Sequence, residues 1–130
     1  MRAMGWLISA GLALASGPAL AHHSTGAVYN QFKTVAIEGF LSKVEVANPH
    51  SMLEVTIPLD NGQTVVWQVE SRGVESMTQH GFARGVVKVG DRVTVTGQPA
   101  WALEHRLWLV RLETSRGRAF EFEAPSVALQ

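Results

Sequence analysis

The chain contains no cysteine. In an oxidising compartment that absence excludes disulfides, thiolate catalysis and sulfur-ligated metal sites, so burial of a core must carry the stability. Excess charge of either sign is also missing: 11 Lys and Arg balance 11 Asp and Glu in 130 residues. Such a balance argues against counterion-driven binding to nucleic acid, and no nucleic-acid partner is expected. After Ala21 no apolar run approaches the roughly 20 residues a transmembrane helix needs. No phosphate-binding loop, dinucleotide fingerprint, G-x-S-x-G or H-E-x-x-H motif is present, and no spacing of Ser and His nominates a nucleophile and its base. Catalysis is therefore not expected. Internal repeats and low-complexity tracts are missing as well.

What is there begins with an export signal. Arg2 supplies the positive start, residues 6–15 (WLISAGLALA) form a short apolar stretch, and residues 16–21 (SGPALA) end in a small-x-small cleavage triplet. Gly17 and Pro18 break a helix there, which argues against a membrane anchor. The reading is a cleaved signal over residues 1–21, a periplasmic location and a mature chain that starts at His22. The 109 residues from His22 to Gln130 suit a single domain. Their net charge is about −1 once Arg2 leaves with the signal.

Residues 22–33 (HHSTGAVYNQFK) are polar and aperiodic and read as an N-terminal arm. From Thr34 the pattern becomes that of a strand: Val35, Ile37, Gly39 and Leu41 alternate with polar or small residues. Val44 and Val46 continue the apolar face one residue out of step, so a β-bulge near Ser42 and Lys43 is expected to bend this strand. Residues 51–57 and 64–70 form the second and third strands, joined by a tight turn at Asp60-Asn61-Gly62. One short helix is expected over residues 74–80, capped by Ser71 at its start and stopped by Gly81. A fourth strand (residues 92–96), a loop (97–105), a fifth strand (106–112) and a short closing strand (119–122) follow, with a patternless tail over 124–130. Three strands, a helix, then two strands and a closing hairpin is the connectivity of a small Greek-key barrel of the OB-fold type. The fold class is accordingly all-β, with five to six strands over residues 34–123. A β-sandwich would want about seven strands.

Five histidines are the candidates for chemistry. If cleavage follows Ala21, His22 offers one metal both its α-amine and its ring Nδ1, a chelate that internal histidines cannot make. A third imidazole would complete the three-nitrogen arrangement known as a histidine brace, whose ligand set suits Cu(II). His50, in the turn after strand one, is the foremost third ligand, with His23 and His105 as further candidates. The arm would have to fold back along the barrel to bring His22 to His50. Asn48, Trp101 and His105 lie in the two loops that border the ligand face of OB-folds, so Asn48 and Trp101 are candidate ligand contacts. The blander alternatives are an Asx-turn at Asn48 ahead of Pro49 and Trp101 packed over the open barrel end. His80 suits the C-terminus of the helix. Arg106, Arg111, Arg116 and Arg118 interleave with Glu104, Glu113, Glu121 and Glu123 and read as cross-strand pairing on exposed faces.

His22-His23-Ser24 after Ala21, the stretch from Gly39 to Lys43-Val44-Glu45, Asn48-Pro49-His50, the strand around Trp67 and the turn Lys88-Val89-Gly90-Asp91 together resemble DUF6152. That is a family of small exported bacterial proteins without an established function. Its members often carry an aromatic residue shortly before Asn-Pro-His, where this chain has Val46 and Ala47. The resemblance implies a periplasmic, single-domain, barrel-like protein and assigns no catalytic residue. A looser topological likeness links the chain to periplasmic bacterial OB-fold proteins, regarded as stress-associated binding modules. The expected function is copper binding or handling. The alternative is a metal-free module that binds a peptide, glycan or envelope protein on the face of strands two and three.

Overall fold

The computed structural model describes residues 25–124. The expected export signal over residues 1–21, His22, His23 and residues 125–130 lie outside them. The described elements run α1 (Thr25–Val28), β1 (Val35–Glu45), β2 (Ser51–Pro58), β3 (Thr64–Ser71), α2 (Val74–Gln79), β4 (Arg92–Pro99), β5 (Arg106–Thr114) and β6 (Ala119–Glu121).

β1 organises the barrel because its bulge lets one strand serve two neighbours. Val35 to Phe40 pair with β4, and Phe40 to Glu45 pair with β2, with the register slipping between Leu41 and Lys43. The slip falls where the apolar alternation changes phase: Ile37 and Leu41 are buried, and so is Val46 beyond the bulge. β2 and β3 form the hairpin over Asp60-Asn61-Gly62, and the left-handed turn residue is Gly62 at φ +81°. The sheet order is β3-β2-β1-β4-β5-β6, and a parallel pairing of β3 with β5 closes five strands into a barrel. β6 is an added edge strand on β5. This is the expected OB-type barrel.

Alternate residues of each strand fill the interior, among them Leu53 and Val55, Val69, Val93 and Val95, and Leu107 and Leu109. One end is sealed by α2 and the segment after it, where Met77, Phe82 and Val87 are buried. Phe82 packs edge-to-face on Phe120 with ring centroids 5.0 Å apart.

The arm holds one helical turn, α1, where no helix is expected, because Tyr29 N–H closes on Thr25 O, and three further local expectations differ from what is observed. Ser71 does not cap α2; it ends β3, fully buried, with its hydroxyl against Met77 Sδ. The cap comes from Asn48, whose Oδ1 accepts the Val74 N–H at 2.9 Å across 26 residues. Gly73 stands at the N-cap, and a Cβ there would lie 2.5 Å from that same Oδ1. At the other end the helix closes one residue early, at Gln79. Gly81, at φ +81°, donates to Thr78 O and Phe82 to Met77 O, the reciprocal pattern of a Schellman stop. Finally, β4 does not end at Thr96. A second bulge between Thr96 and Gly97 carries it on to Pro99, opposite Leu107. Gly97 is needed at that crossing, since a Cβ would collide with Trp108 O.

Candidate functional site

The aperiodic arm is pinned to the outside of the barrel chiefly by Tyr29, with hydrogen bonds from Trp101 to Gly26 O and Val28 O and from Asn30 to Pro99 O beside it. Tyr29 is 1% exposed, bridges Ala100 at the end of β4, and follows the single turn of α1. Its ring tilts against Trp108 of β5 at 5.7 Å. Trp108 faces outward from the barrel yet is only 3% exposed, because Tyr29 covers one part of it and His50 another. His50 stands edge-on to the indole at 5.4 Å. The first β-turn loop, the arm and the β3–β5 seam thus converge on one indole.

Beside that indole lies a carboxylate with three donors. Glu70, near the end of β3, sits opposite Trp108 in the parallel register. It accepts hydrogen bonds from the Tyr29 hydroxyl, from Arg106 Nη2 at 2.8 Å and from His50 Nδ1 at 2.5 Å. Arg106 Nε donates to the Tyr29 oxygen at 2.9 Å, closing the network. Burial works against a charge on Glu70, whose side chain is 13% exposed, but the bonds from Tyr29, Arg106 and His50 outweigh it and hold the carboxyl below its usual range. Burial and the adjoining carboxylate push the Tyr29 phenol far above its ordinary range. The bond that Arg106 donates to Glu70 in turn raises the guanidinium's pKa. Around neutral pH the network is a carboxylate, a guanidinium and a neutral phenol.

His50 is the exposed member, with 43% of its side chain open. Its Nδ1 is committed to Glu70, and Nε2 has no partner among the described residues. A carboxylate on one imidazole nitrogen fixes the tautomer that presents the other as a lone pair, the arrangement found behind most metal-binding histidines. Under Trp108, two buried polar atoms have no hydrogen-bond partner among the described residues: Trp108 Nε1 and Gln98 Oε1, on residues paired across β4 and β5.

The remaining candidates divide between structure and a second location. Asn48 serves as the cap of α2. Trp101 and His105 line a surface cavity of about 600 Å³ formed by the β4–β5 loop, together with Trp67, Leu103, Glu104 and Arg106. His105 stands edge-to-face on Trp67 at 5.1 Å and holds a left-handed backbone, φ +54°, the one non-glycine residue to do so among those described. His50 is not part of that cavity. His22 and His23 lie outside the described residues, and among those described no group of three His, Cys, Asp or Glu is placed to hold a metal. His80 binds Ser76 O through Nδ1 at 2.7 Å and packs on Phe122, as suits a helix end.

Sequence reasoning missed Tyr29, Glu70 and the true role of Arg106. Tyr29 did carry a signal, being the only tyrosine of the chain and set in an otherwise polar segment. Arg111 pairs with Glu113 and Glu121 as the interleaved charges suggest, but Arg106 leaves that set to meet Glu70. Nothing local marks Glu70, because its partners depend on barrel closure.

Comparison with known proteins adds a family and a fold. The model of DUF6152, described as a family of unknown function, matches residues 10–105. No curated protein matches the chain. Among solved structures, the mitochondrial single-stranded DNA binding protein of S. cerevisiae (form 2) is similar, with a TM-score of 0.51 and 19% identity over 65% of this chain and 94% of that one. Its selenomethionine-labelled form gives 0.48 and 17% over 64% and 93%. Identities this low speak for the fold alone.

Proposed function

The chain belongs to DUF6152, a family of unknown function, and from that premise we propose that it is an exported, periplasmic binding module that holds Cu(II) between its N-terminal residue and His50. The observation that carries this reading is the His50–Glu70 pair: an exposed imidazole whose Nδ1 is held by a buried carboxylate. The arm also returns to the same place. Tyr29 and His50 touch one indole, and the seven residues back to His22, four of them wound in α1, reach at most about 17 Å, a span of the order needed to bring the terminal amine toward Nε2. Three nitrogens then come from the His22 amine, the His22 ring and the His50 ring, a set that favours copper among divalent ions. His23 remains a candidate additional ligand, whereas His105 lies in the separate β4–β5 cavity against Trp67. From the yeast protein only the fold is carried over, since this chain has no net positive charge with which to hold a polyanion.

The test is a Cu(II) titration of protein exported to the periplasm, its native N-terminus confirmed by mass. Stoichiometric binding with nitrogen couplings in the EPR spectrum is expected, lost in His22→Ala and in a chain with one residue added before His22. Glu70→Gln should weaken it by about 10- to 100-fold, as loss of a carboxylate behind a ligating imidazole does. Weak binding indifferent to all three changes would overturn the copper reading and leave a metal-free module for a peptide, glycan or envelope protein.

A further inference from the structure

The cavity at the β4–β5 loop adjoins the His50 cluster through Arg106 but does not include His50, and it presents different chemistry. Among its large apolar side chains Trp101 is 57% exposed and Leu103 50%. An open indole is usually mobile, but this one is tied down: its Nε1 donates to Gly26 O at 3.2 Å and its backbone N–H to Val28 O at 2.9 Å. The arm therefore consumes the only polar atom of the ring and leaves the π face to the cavity. A second indole, Trp67, is half-buried in the same lining and braced by His105.

The two charged side chains at the cavity differ in their pairing. Arg106 lines the cavity, but its guanidinium is spent on Glu70 and Tyr29. Glu104 also lines it and enters no hydrogen bond or ion pair among the described residues. Two indoles and an uncompensated carboxylate make a negative potential, which repels anions and attracts cations through the ring quadrupoles as well as the charge. A primary ammonium would want three acceptors, whereas the lining side chains offer only two accepting groups, the Glu104 carboxylate and the His105 ring. A quaternary ammonium needs none, and the cavity volume of about 600 Å³ is ample for one.

We propose that the cavity between Trp67, Trp101 and Glu104 binds a quaternary ammonium group, free in a small solute or carried on a lipid headgroup. The ligand enters against the Trp101 face with its positive charge toward Glu104. The site does not depend on copper and stands or falls separately from it.

The experiment follows tryptophan fluorescence of the exported chain during titration with choline and, separately, with 3,3-dimethylbutan-1-ol, which has the same shape without the charge. Choline should bind saturably and about tenfold more tightly than the alcohol, the range expected when a cation meets an indole. Trp101→Leu should abolish the difference. Glu104→Gln, an exposed change that leaves the fold and its thermal transition intact, should weaken choline several-fold and leave the alcohol unchanged. Sedimentation with phosphatidylcholine vesicles separates the two sources: co-sedimentation assigns the lipid headgroup, and choline binding without it assigns the free solute. Choline that binds no better than the alcohol, or with an affinity untouched by Glu104→Gln, would overturn the proposal.

Discussion

At Glu70, donors from three distant stretches of chain meet one carboxylate, and that makes it the residue on which the outer cluster depends. Because its folded pKa lies below the ordinary value of 4.5, its contribution is fully present above that value and is lost as pH falls through the folded pKa. Tyr29 works in the opposite sense. Its folded pKa lies above the ordinary 10.0, so stability from the neutral phenol holds up to that pH and drains away above it. Thermal melts across pH should therefore show a plateau with an acid shoulder that Glu70→Gln removes and an alkaline shoulder that Tyr29→Phe removes. At neutral pH Glu70→Gln should cost about 1.5–3 kcal/mol, the usual worth of a hydrogen bond to a charged group. None of this was legible in the sequence, where Glu70 is one more polar residue on an alternating strand. Its partners lie 41, 20 and 36 residues away.

The strands, by contrast, were largely legible, because a period of two and its phase slips are written locally. The bulge after Leu41 followed from the shift between Leu41 and Val44. The bulge at Gly97 did not, since glycine beside Gln98-Pro99 has the composition of a loop. What distinguishes it is the close approach of Trp108 O, a feature of the partner strand. Gly97→Ala should consequently destabilise the protein well beyond the about 1 kcal/mol that separates glycine from alanine by propensity alone, because backbone must move to admit the Cβ. Helix α2 teaches the same lesson. Its Schellman stop at Gly81 was visible, but its cap arrives from Asn48 in another loop. Asn48→Ala should lower stability by about 1 kcal/mol in denaturant titration, with amide exchange rising first at Val74.

For the whole molecule, the arm and the barrel are two layers sharing one indole. Tyr29→Ala should undock the arm at a cost of about 3–5 kcal/mol if the gap stays open, and less if it collapses. Trp108 emission should then shift to the red while the far-ultraviolet signature of the barrel persists; an unshifted Trp108 would mean that the arm does not cover it. The sequence by itself determined the strand order, helix α2, the hairpin turns and hence the barrel, though not the turn of α1, since hydrophobic period and turn chemistry are properties of neighbours along the chain. It also offered His50, Trp101 and His105 as candidates by residue type. Only the tertiary structure decided that His50 stands before Glu70, that Trp101 and His105 share a different cavity, and that the polar arm hides a buried tyrosine. Those assignments follow from the parallel closure of β3 on β5, a long-range pairing whose geometry is set by the packed barrel and leaves no periodic trace in either strand.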